Sequence, residues 1–245
     1  MLSRAQIKYI HSLRMKKYRQ KYSRFVAEGV KVVEELLRER NIVIDTLYAT
    51  APWCDSKGLS DKPFSDITVV RINEQELHQI SVAEAPQQVI AVCQLPEKSH
   101  LPDLSGKVSL ALETIQDPGN LGTIIRIADW FGIENVICSP NCVDAFNPKC
   151  IQATMGSIAR VKITEMALEK LGRKVPIYAA SLSGKDISTC KQVQEGIILI
   201  GNEGHGLSEK VLQIATHCIT IPKIGKAESL NVAVATGIIC DRLIL

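Results

Sequence analysis

The sequence predicts an α/β protein in which a small N-terminal α/β domain precedes a domain with a mostly parallel sheet. After residue 107, short apolar runs are separated by helical segments. The runs lack the polar–apolar alternation of half-exposed strands, as expected of strands buried on both faces. Before it, Leu95–Gly106 contains two prolines, one glycine and no apolar period. We therefore place domains at 1–95 and 107–245 and a linker at 96–106. Hydrophobic residues make up 46% of the 245 residues and charged residues 22%, an ordinary globular balance.

The N-terminal domain is predicted from helical apolar spacing and from β-rich runs bounded by turn residues. Asn73 is a good N-cap for the helix that follows it. Helices are expected over Ala5–Leu13, Glu28–Arg40 and Glu74–Ile80, and strands over Ile42–Thr50, Thr68–Ile72 and Val89–Leu95.

The second domain is predicted to contain five strands and five helices. Its strands are expected over Val108–Leu112, Asn135–Ser139, Ile177–Ala180, Ile197–Gly201 and Cys218–Ile221. Its helices are expected over Gly122–Phe131, Pro148–Ala159, Glu165–Leu171, Ser208–Ile214 and Leu230–Leu243. Ser229 is a good N-cap for the last helix, which is apolar almost all round and must be buried in the core or against a second subunit.

The net charge of +3 conceals a strongly basic N-terminus. Residues 1–24 hold eight Lys or Arg and no acid, and the 21 basic and 26 acidic residues that remain give the rest of the chain a charge of −5. Such a segment favours a polyanionic partner, and tyrosines and a histidine interleave with it as planar groups that can stack on bases. The alternative is a solvated helix face. The RNA-binding candidates are Arg14, Lys16, Lys17 and Arg19.

The cysteines and the hydropathy restrict the class further. None of the eight cysteines forms Cys-x-x-Cys, and the set Cys138, Cys142 and Cys150 has no histidine nearby to complete a zinc site. We expect reduced buried thiols and no metal. No apolar run approaches the roughly 20 residues of a membrane-spanning helix, and the basic N-terminus has no apolar signal core. A cytoplasmic protein is expected.

Three loops are expected at the carboxyl ends of strands, where ligands bind in such sheets. In the first, ETIQDPGNLGTIIR, a turn signal precedes a helix with Asn120 at its start and Arg126 one turn inside. In the second, IGNEGHGLS, three glycines let backbone amides approach a ligand closely. It matches neither a P-loop nor a dinucleotide fingerprint, and the carboxylate of Glu203 suits a cation, an amine or a hydroxyl better than a phosphate. The third is IPKIGKAESLN, before the last helix.

Together these segments resemble the SpoU branch of the SPOUT methyltransferases, which methylate RNA ribose 2′-hydroxyls. The resemblance covers about residues 108–245. Asn120-Leu-Gly-x-x-x-Arg126 is similar to the family's first motif, Gly201-Asn-Glu-Gly-x-Gly-Leu207 to the second, and Ile221-Pro with Glu228-Ser-Leu-Asn-Val232 to the third. Residues 1–95 more loosely resemble the RNA-binding domain, similar to some ribosomal proteins, that often precedes this catalytic domain. Gln152 departs from the pattern, which has Arg there in many relatives.

The resemblance implies a trefoil-knotted parallel sheet, S-adenosylmethionine as methyl donor, a homodimer, no metal, and rRNA or tRNA as substrate. It assigns the catalytic pocket to Asn120, Arg126, Glu203, Ser229 and Asn231, with Arg126 also touching RNA. It assigns the cofactor to Ser181, Leu182, Gly201, Asn202, Glu203, Gly204, Ile221, Leu230 and Asn231. Two rival functions are a non-catalytic RNA-binding protein on the same fold and a nucleotide-dependent oxidoreductase, the latter disfavoured by the missing dinucleotide fingerprint.

Overall fold

A computed structural model describes residues 1–57, 67–97, 103–172 and 174–245 of the protein. The chain forms two compact units. The first comprises Met1–Glu97 and Phe146–Ala159, and the second comprises Lys98–Ala145 and Arg160–Leu245. Residues 98–102 of the expected linker lie outside the described residues.

The N-terminal unit contains a four-stranded sheet in the order β1-β4-β2-β3, in which β4 is antiparallel to both neighbours and β2 is parallel to β3. Asn73 caps α5 as predicted, because its side chain accepts the backbone N–H of Glu76 at 2.9 Å. The elements are α1 (Arg4–Ser12), α2 (Lys16–Tyr22), β1 (Arg24–Glu28), α3 (Val30–Glu39), β2 (Ile44–Thr50), α4 (Ala51–Ser56), β3 (Thr68–Ile72), α5 (Glu74–Ile80) and β4 (Val89–Gln94).

Strand β1 and helices α2 and α4 were not among the predicted elements. The helix predicted over Glu28–Arg40 begins only at Val30. Gly29 has a φ of 102°, a conformation that residues with a side chain rarely adopt, and it separates the strand from the helix. Residues Arg24–Glu28 instead pair with β4, and four of these five residues are buried.

The second unit contains a six-stranded sheet in the order β10-β8-β9-β5-β6-β7. Every neighbouring pair is parallel, which confirms the predicted fold class. The trefoil knot that the resemblance implies stays a prediction. The elements in chain order are β5 (Val108–Leu112), α6 (Pro118–Trp130), β6 (Asn135–Cys138), α7 (Pro148–Thr154), β7 (Lys162–Glu165), β8 (Ile177–Asp186), β9 (Gly196–Ile200), α8 (Glu209–Leu212), β10 (His217–Thr220) and α9 (Val232–Ile244).

Helix α7 lies in the second domain by sequence but packs with the N-terminal unit. It contacts β1, and the ring of Phe146, just before it, lies 5.0 Å from the ring of Phe25. Asn41 Nδ2 donates to the carbonyl of Ala159 at 3.0 Å. A segment whose apolar side chains bury against β1 clusters with the sheet it covers, whatever its position in the chain.

Two predicted helix starts are wrong. Helix α6 begins at Pro118 rather than Gly122, because Asp117 acts as N-cap and its side chain accepts the N–H of Asn120 at 2.7 Å. Helix α9 is capped by Asn231 rather than Ser229.

The helix predicted over Glu165–Leu171 is also wrong. Its first residue ends β7, a strand that was not predicted, and only a single 3₁₀ turn over Leu168–Lys170 follows. Strand β7 pairs in parallel with β6, so its conformation depends on a partner distant in sequence. Over the described ranges, no helix is long and apolar enough to cross a membrane.

Candidate active site

The three unusual loops leave the carboxyl ends of β5, β9 and β10. Strands β5 and β9 are neighbours at the centre of the sheet, with β6 and β7 on one side and β8 and β10 on the other. From β5 the chain continues outward to β6 and β7, and only then forms β8, β9 and β10 on the other side of β5. The strand order therefore reverses between β5 and β9. Open α/β sheets bind ligands outside such a reversal point.

Asn120 connects the three loops through its side-chain amide. Its Nδ2 donates to Glu203 Oε1 at 3.0 Å, and its Oδ1 accepts from Asn231 Nδ2 at 2.9 Å. The Oδ1 of Asn231 accepts the backbone N–H of Ala233 and Val234 as the N-cap of α9. Since the donor and acceptor ends of both amides are engaged, each amide is held in one orientation. The structure thus brings Asn120, Glu203 and Asn231 together.

The glycine-rich loop closes on itself. Asn202 and Gly206 exchange two backbone hydrogen bonds of 3.0 Å, and Asn202 Oδ1 accepts the N–H groups of Gly204 and His205 at 2.9 and 3.1 Å. A Cβ at Gly201 would lie 2.3 Å from the carbonyl carbon of Gly206, so the close approach excludes a side chain there. At Gly204 a Cβ would meet only Asn202 Oδ1, at 3.6 Å.

Glu113 and Thr114, which sequence reasoning did not select, tie the first loop to the second. The Glu113 carboxylate accepts the N–H and the hydroxyl of Ser208 at 2.8 and 2.6 Å. The carbonyl of Thr114 accepts Asn202 Nδ2 at 2.9 Å. Thr114 has a φ of 56°, which is rare for a β-branched residue and is a signal that only a structure shows.

Cys142 supports the first loop from behind. Its Sγ accepts the backbone N–H of Ile115 at 3.3 Å, while Ser139 Oγ accepts the N–H of Thr114 at 2.9 Å. Hydrogen bonds from Cys138, and then from Ser139 and the Ile115 backbone, lower the pKa of the Cys142 thiol to about 6 against the opposing effect of burial. The described residues hold no cluster of three His, Cys, Asp or Glu side chains that could bind a metal ion.

Arg126 lies on the exposed side of α6, two turns after its N-cap. It forms no hydrogen bond or ion pair with any residue that the structure describes. Trp130, one turn further along the same helix, is 84% exposed. The guanidinium is therefore available to a ligand, but among the described residues no hydrogen bond links it to Asn120.

Ser181 and Leu182 lie in an excursion of β8. This strand pairs with β10 through Tyr178 and Ala179, leaves it, and pairs again through Lys185 and Asp186. Leu182 in the excursion is 80% exposed. The excursion ends at Gly184. There β8 approaches β10 so closely that a Cβ on Gly184 would lie 2.4 Å from the Ile219 carbonyl carbon.

The third loop is open. Ile221 is half-buried at the end of β10, whereas residues 222–231, which include Leu230, are exposed. The backbone N–H groups of residues 223–230 donate to no other residue in the described part of the chain. Ser229 is exposed and, among the same residues, its hydroxyl has no hydrogen-bond partner.

The basic N-terminal residues occupy different environments. Arg19 is 2% exposed, and its Nη1 donates to the carbonyls of Leu13 and Arg14 at 2.9 and 2.8 Å. The prediction that Arg19 binds RNA is therefore contradicted, because its guanidinium satisfies backbone carbonyls between α1 and α2. Arg14 is exposed but donates to the carbonyl of Ser81 at 2.7 Å. Lys16 and Lys17 are exposed.

Comparison with known proteins finds a family match for each of the two units. The sequence pattern of the SpoU rRNA Methylase family matches residues 107–241, and that of the MRM3-like substrate binding domain matches residues 4–91. The chain belongs to the SpoU rRNA methylase family. The separate N-terminal α/β domain predicted from the sequence is confirmed.

Relatives resemble the chain over nearly its whole length. The 23S rRNA (guanosine(2553)-2′-O)-methyltransferase RlmP of Bacillus subtilis is 32% identical, over 94% of this chain and 92% of its own. A structure from Porphyromonas gingivalis, assigned to the TrmH family of RNA methyltransferases, has a TM-score of 0.88 and 38% identity and covers 100% of this chain and 98% of its own. An AdoMet-bound rRNA methyltransferase from Sinorhizobium meliloti has a TM-score of 0.87 and 30% identity, covering 99% and 95%.

Proposed function

We propose that this SpoU-family protein transfers a methyl group from S-adenosylmethionine to a ribose 2′-hydroxyl of ribosomal RNA. The observation that carries the proposal is the hydrogen-bonded connection of Asn120, Glu203 and Asn231, one from each family motif, at the reversal point of the sheet. A relative similar over nearly the full length bears the name of a 23S rRNA 2′-O-methyltransferase, and a second is an rRNA methyltransferase with AdoMet bound.

The second and third loops fit an adenosine-containing ligand. The tight turn at Gly201 leaves no side chain over the loop, and the exposed backbone of residues 223–230 has N–H groups to donate. S-adenosylmethionine supplies an electrophilic sulfonium methyl group when bound. The residues proposed to hold it are Ser181, Leu182, Gly201, Asn202, Glu203, Gly204, Ile221, Leu230 and Asn231.

The residues around the acceptor are proposed to act by positioning. Holding the ribose oxygen in line with the methyl group supplies much of the rate in such a transfer. A guanidinium stays protonated in proteins, so Arg126 orients and polarises the 2′-hydroxyl or binds the adjacent phosphate. Asn120 and Glu203 hold the first two loops together, and the exposed Ser229 hydroxyl shapes the pocket with Asn231.

RNA also binds the N-terminal unit in this proposal. Arg14, Lys16 and Lys17 are exposed on a segment without acidic residues, so their charges favour RNA phosphates. Arg19 has no part in this contact, because it is buried. A cytoplasmic location remains a prediction.

A homodimer is proposed from the apolar surface between α6 and α9. These helices pack closely, since a Cβ on Gly237 would lie 3.8 Å from Ile127 Cδ1. Beside this contact lies a groove of about 470 Å³ whose lining is mainly apolar and also includes the charged residues Asp241 and Arg242; the apolar lining residues are Ile127, Trp130, Phe131, Gly237 and Ile238. An exposed, mainly apolar groove on a nearly all-apolar terminal helix favours burial against a second copy.

The test measures cofactor binding and methyl transfer separately. Calorimetry with S-adenosylmethionine distinguishes an enzyme from a non-catalytic RNA-binding protein on the same fold, which would not bind it. Transfer of a labelled methyl group to rRNA is then followed in a single turnover for the wild type, Arg126→Ala and the surface control Arg38→Ala. We expect Arg126→Ala to lose rate with cofactor affinity nearly unchanged. A wild-type rate in Arg126→Ala would remove Arg126 from the mechanism, and absence of any transfer would refute the function.

A further inference from the structure

Three tyrosines of α1 and α2 form one aromatic cluster at the basic end of the N-terminal unit. The rings of Tyr18 and Tyr22 are stacked, with centroids 6.2 Å apart and an interplanar angle of 15°. Tyr9 contacts Tyr22 edge-on, at 5.2 Å and 75°. Tyr22 is 39% exposed, so the stacked pair reaches the surface.

Lysines flank these rings. Lys17 Nζ lies 6.0 Å from the ring centroid of Tyr18, and Lys21 Nζ lies 5.4 Å from that of Tyr22. Residues 1–27 contain no Asp or Glu. The nearby carboxylate of Asp45 is bound by Arg24 and Gln94. The cluster therefore combines aromatic faces with uncompensated positive charge.

The three tyrosines differ in their packing. Tyr9 packs against a buried core cluster of the unit, and neither Tyr18 nor Tyr22 belongs to that cluster. The connection between α1 and α2 is held by Arg19, through its hydrogen bonds to the carbonyls of Leu13 and Arg14. Helix α2 therefore has an anchor in Arg19 that does not involve the stacked rings.

We infer that Tyr18 and Tyr22, with Lys17 and Lys21, form a binding site for unpaired RNA nucleotides. Bases stack on the tyrosine rings, and the lysines contact the phosphates on either side. A base inside a duplex has both faces covered by its neighbours, so the site selects single-stranded or looped RNA. The inference rests on the proposed RNA substrate, and it specifies which part of that RNA the N-terminal unit binds.

The experiment measures the affinity of the full chain for a fluorescently labelled 12-nucleotide oligouridylate, without S-adenosylmethionine, at several salt concentrations. The variants are Tyr18→Leu, which removes the ring but keeps apolar volume, and Tyr18→Phe, which keeps the ring. Lys17→Gln removes a charge at the site, and Lys31→Gln removes an exposed charge on α3 as the control. Thermal unfolding of each variant verifies that it folds, and an RNA duplex of the same length is the competing ligand.

We expect Tyr18→Leu to weaken binding about five- to 150-fold per stacked base with an unchanged salt slope, and Tyr18→Phe to bind like the wild type. Lys17→Gln should flatten the slope of log affinity against log salt by about 0.7, and Lys31→Gln should not. Wild-type affinity in Tyr18→Leu, or duplex bound as tightly as the single strand, would overturn the inference. If oligouridylate binding depends on Tyr18 but no methyl transfer to rRNA occurs, the proposed function fails and this site stands.

Discussion

Replacing Asn120 by Asp tests the connection between the family motifs with almost no change in shape. The substitution puts an oxygen in place of Nδ2, which lies 3.0 Å from Glu203 Oε1. A hydrogen bond thereby becomes a contact between two carboxylates. At this separation Coulomb's law gives a repulsion of about 1.4 kcal/mol at the dielectric constant of water and about 5.5 kcal/mol at an effective value of 20. Both side chains are half-buried, so the repulsion lies between these limits.

An opposing effect of about 0.3–1 kcal/mol comes from placing a negative charge in the first turn of α6. After this opposing effect, the unfolding midpoint at pH 7 should fall by at least about 1 °C in Asn120→Asp. Acid that protonates one of the two carboxylates removes the repulsion, so the deficit should shrink as the pH falls. The destabilisation is therefore absent in acid and appears as the pH rises.

The double variant Asn120→Asp/Glu203→Gln provides the control. The amide placed at 203 then donates to the carboxylate placed at 120, so the hydrogen bond returns with its direction reversed and the repulsion is gone. Thermal unfolding of the wild type, both single variants and the double variant forms a complete cycle. Unfolding of Asn120→Asp at the wild-type temperature at pH 7, or a double variant no more stable than Asn120→Asp, would refute this account of the contact.

Three further predictions concern the cofactor loop, the dimer and acid stability. Gly201→Ala should weaken S-adenosylmethionine binding about tenfold or more in calorimetry, for about 1.4 kcal/mol of strain, while the surface control Arg38→Ala should bind like the wild type. Sedimentation at micromolar concentration should show a dimer that Trp130→Asp converts to a monomer; an unchanged dimer would remove this groove from the interface. Backbone N–H groups, chiefly that of Asn73, lower the pKa of Glu76, so its contribution to stability is present above its usual pKa and lost as the pH falls. Glu76→Gln should therefore reduce the free energy of unfolding more at pH 7 than at pH 3 in urea titrations, and an equal loss at both would contradict this.

The centre of the second unit was predictable from sequence because its strands are buried on both faces. Such strands appear as short apolar runs, and the loops after them fall at one edge of a parallel sheet. Asn120 and Glu203 are 83 residues apart, yet both follow central strands, so their meeting follows from the sheet. The motif resemblance selected the polar side chains within those loops.

Elements that depend on distant partners were not predictable. The residues of β1 form a strand because they pair with β4, and Phe146–Ala159 joins the N-terminal unit because α7 covers β1. The charge pattern treated Arg19 like Lys16 and Lys17, since composition does not reveal a guanidinium that binds backbone carbonyls. In each case the conformation or burial of the residue depends on a contact that the local hydrophobic periodicity does not indicate.

The N-cap of α9 shows how a structural and a functional requirement meet in one residue. Ser and Asn are about equally good N-caps, so local rules do not separate Ser229 from Asn231. The Asn231 side chain caps the helix through Oδ1 and binds Asn120 through Nδ2. A serine hydroxyl that caps the helix has no second, opposed donor group with which to reach Asn120. Asn231, the last residue of the third loop, is therefore the N-cap of α9 and also binds the first loop through Asn120. Ser229 is left exposed, with its hydroxyl available to a ligand.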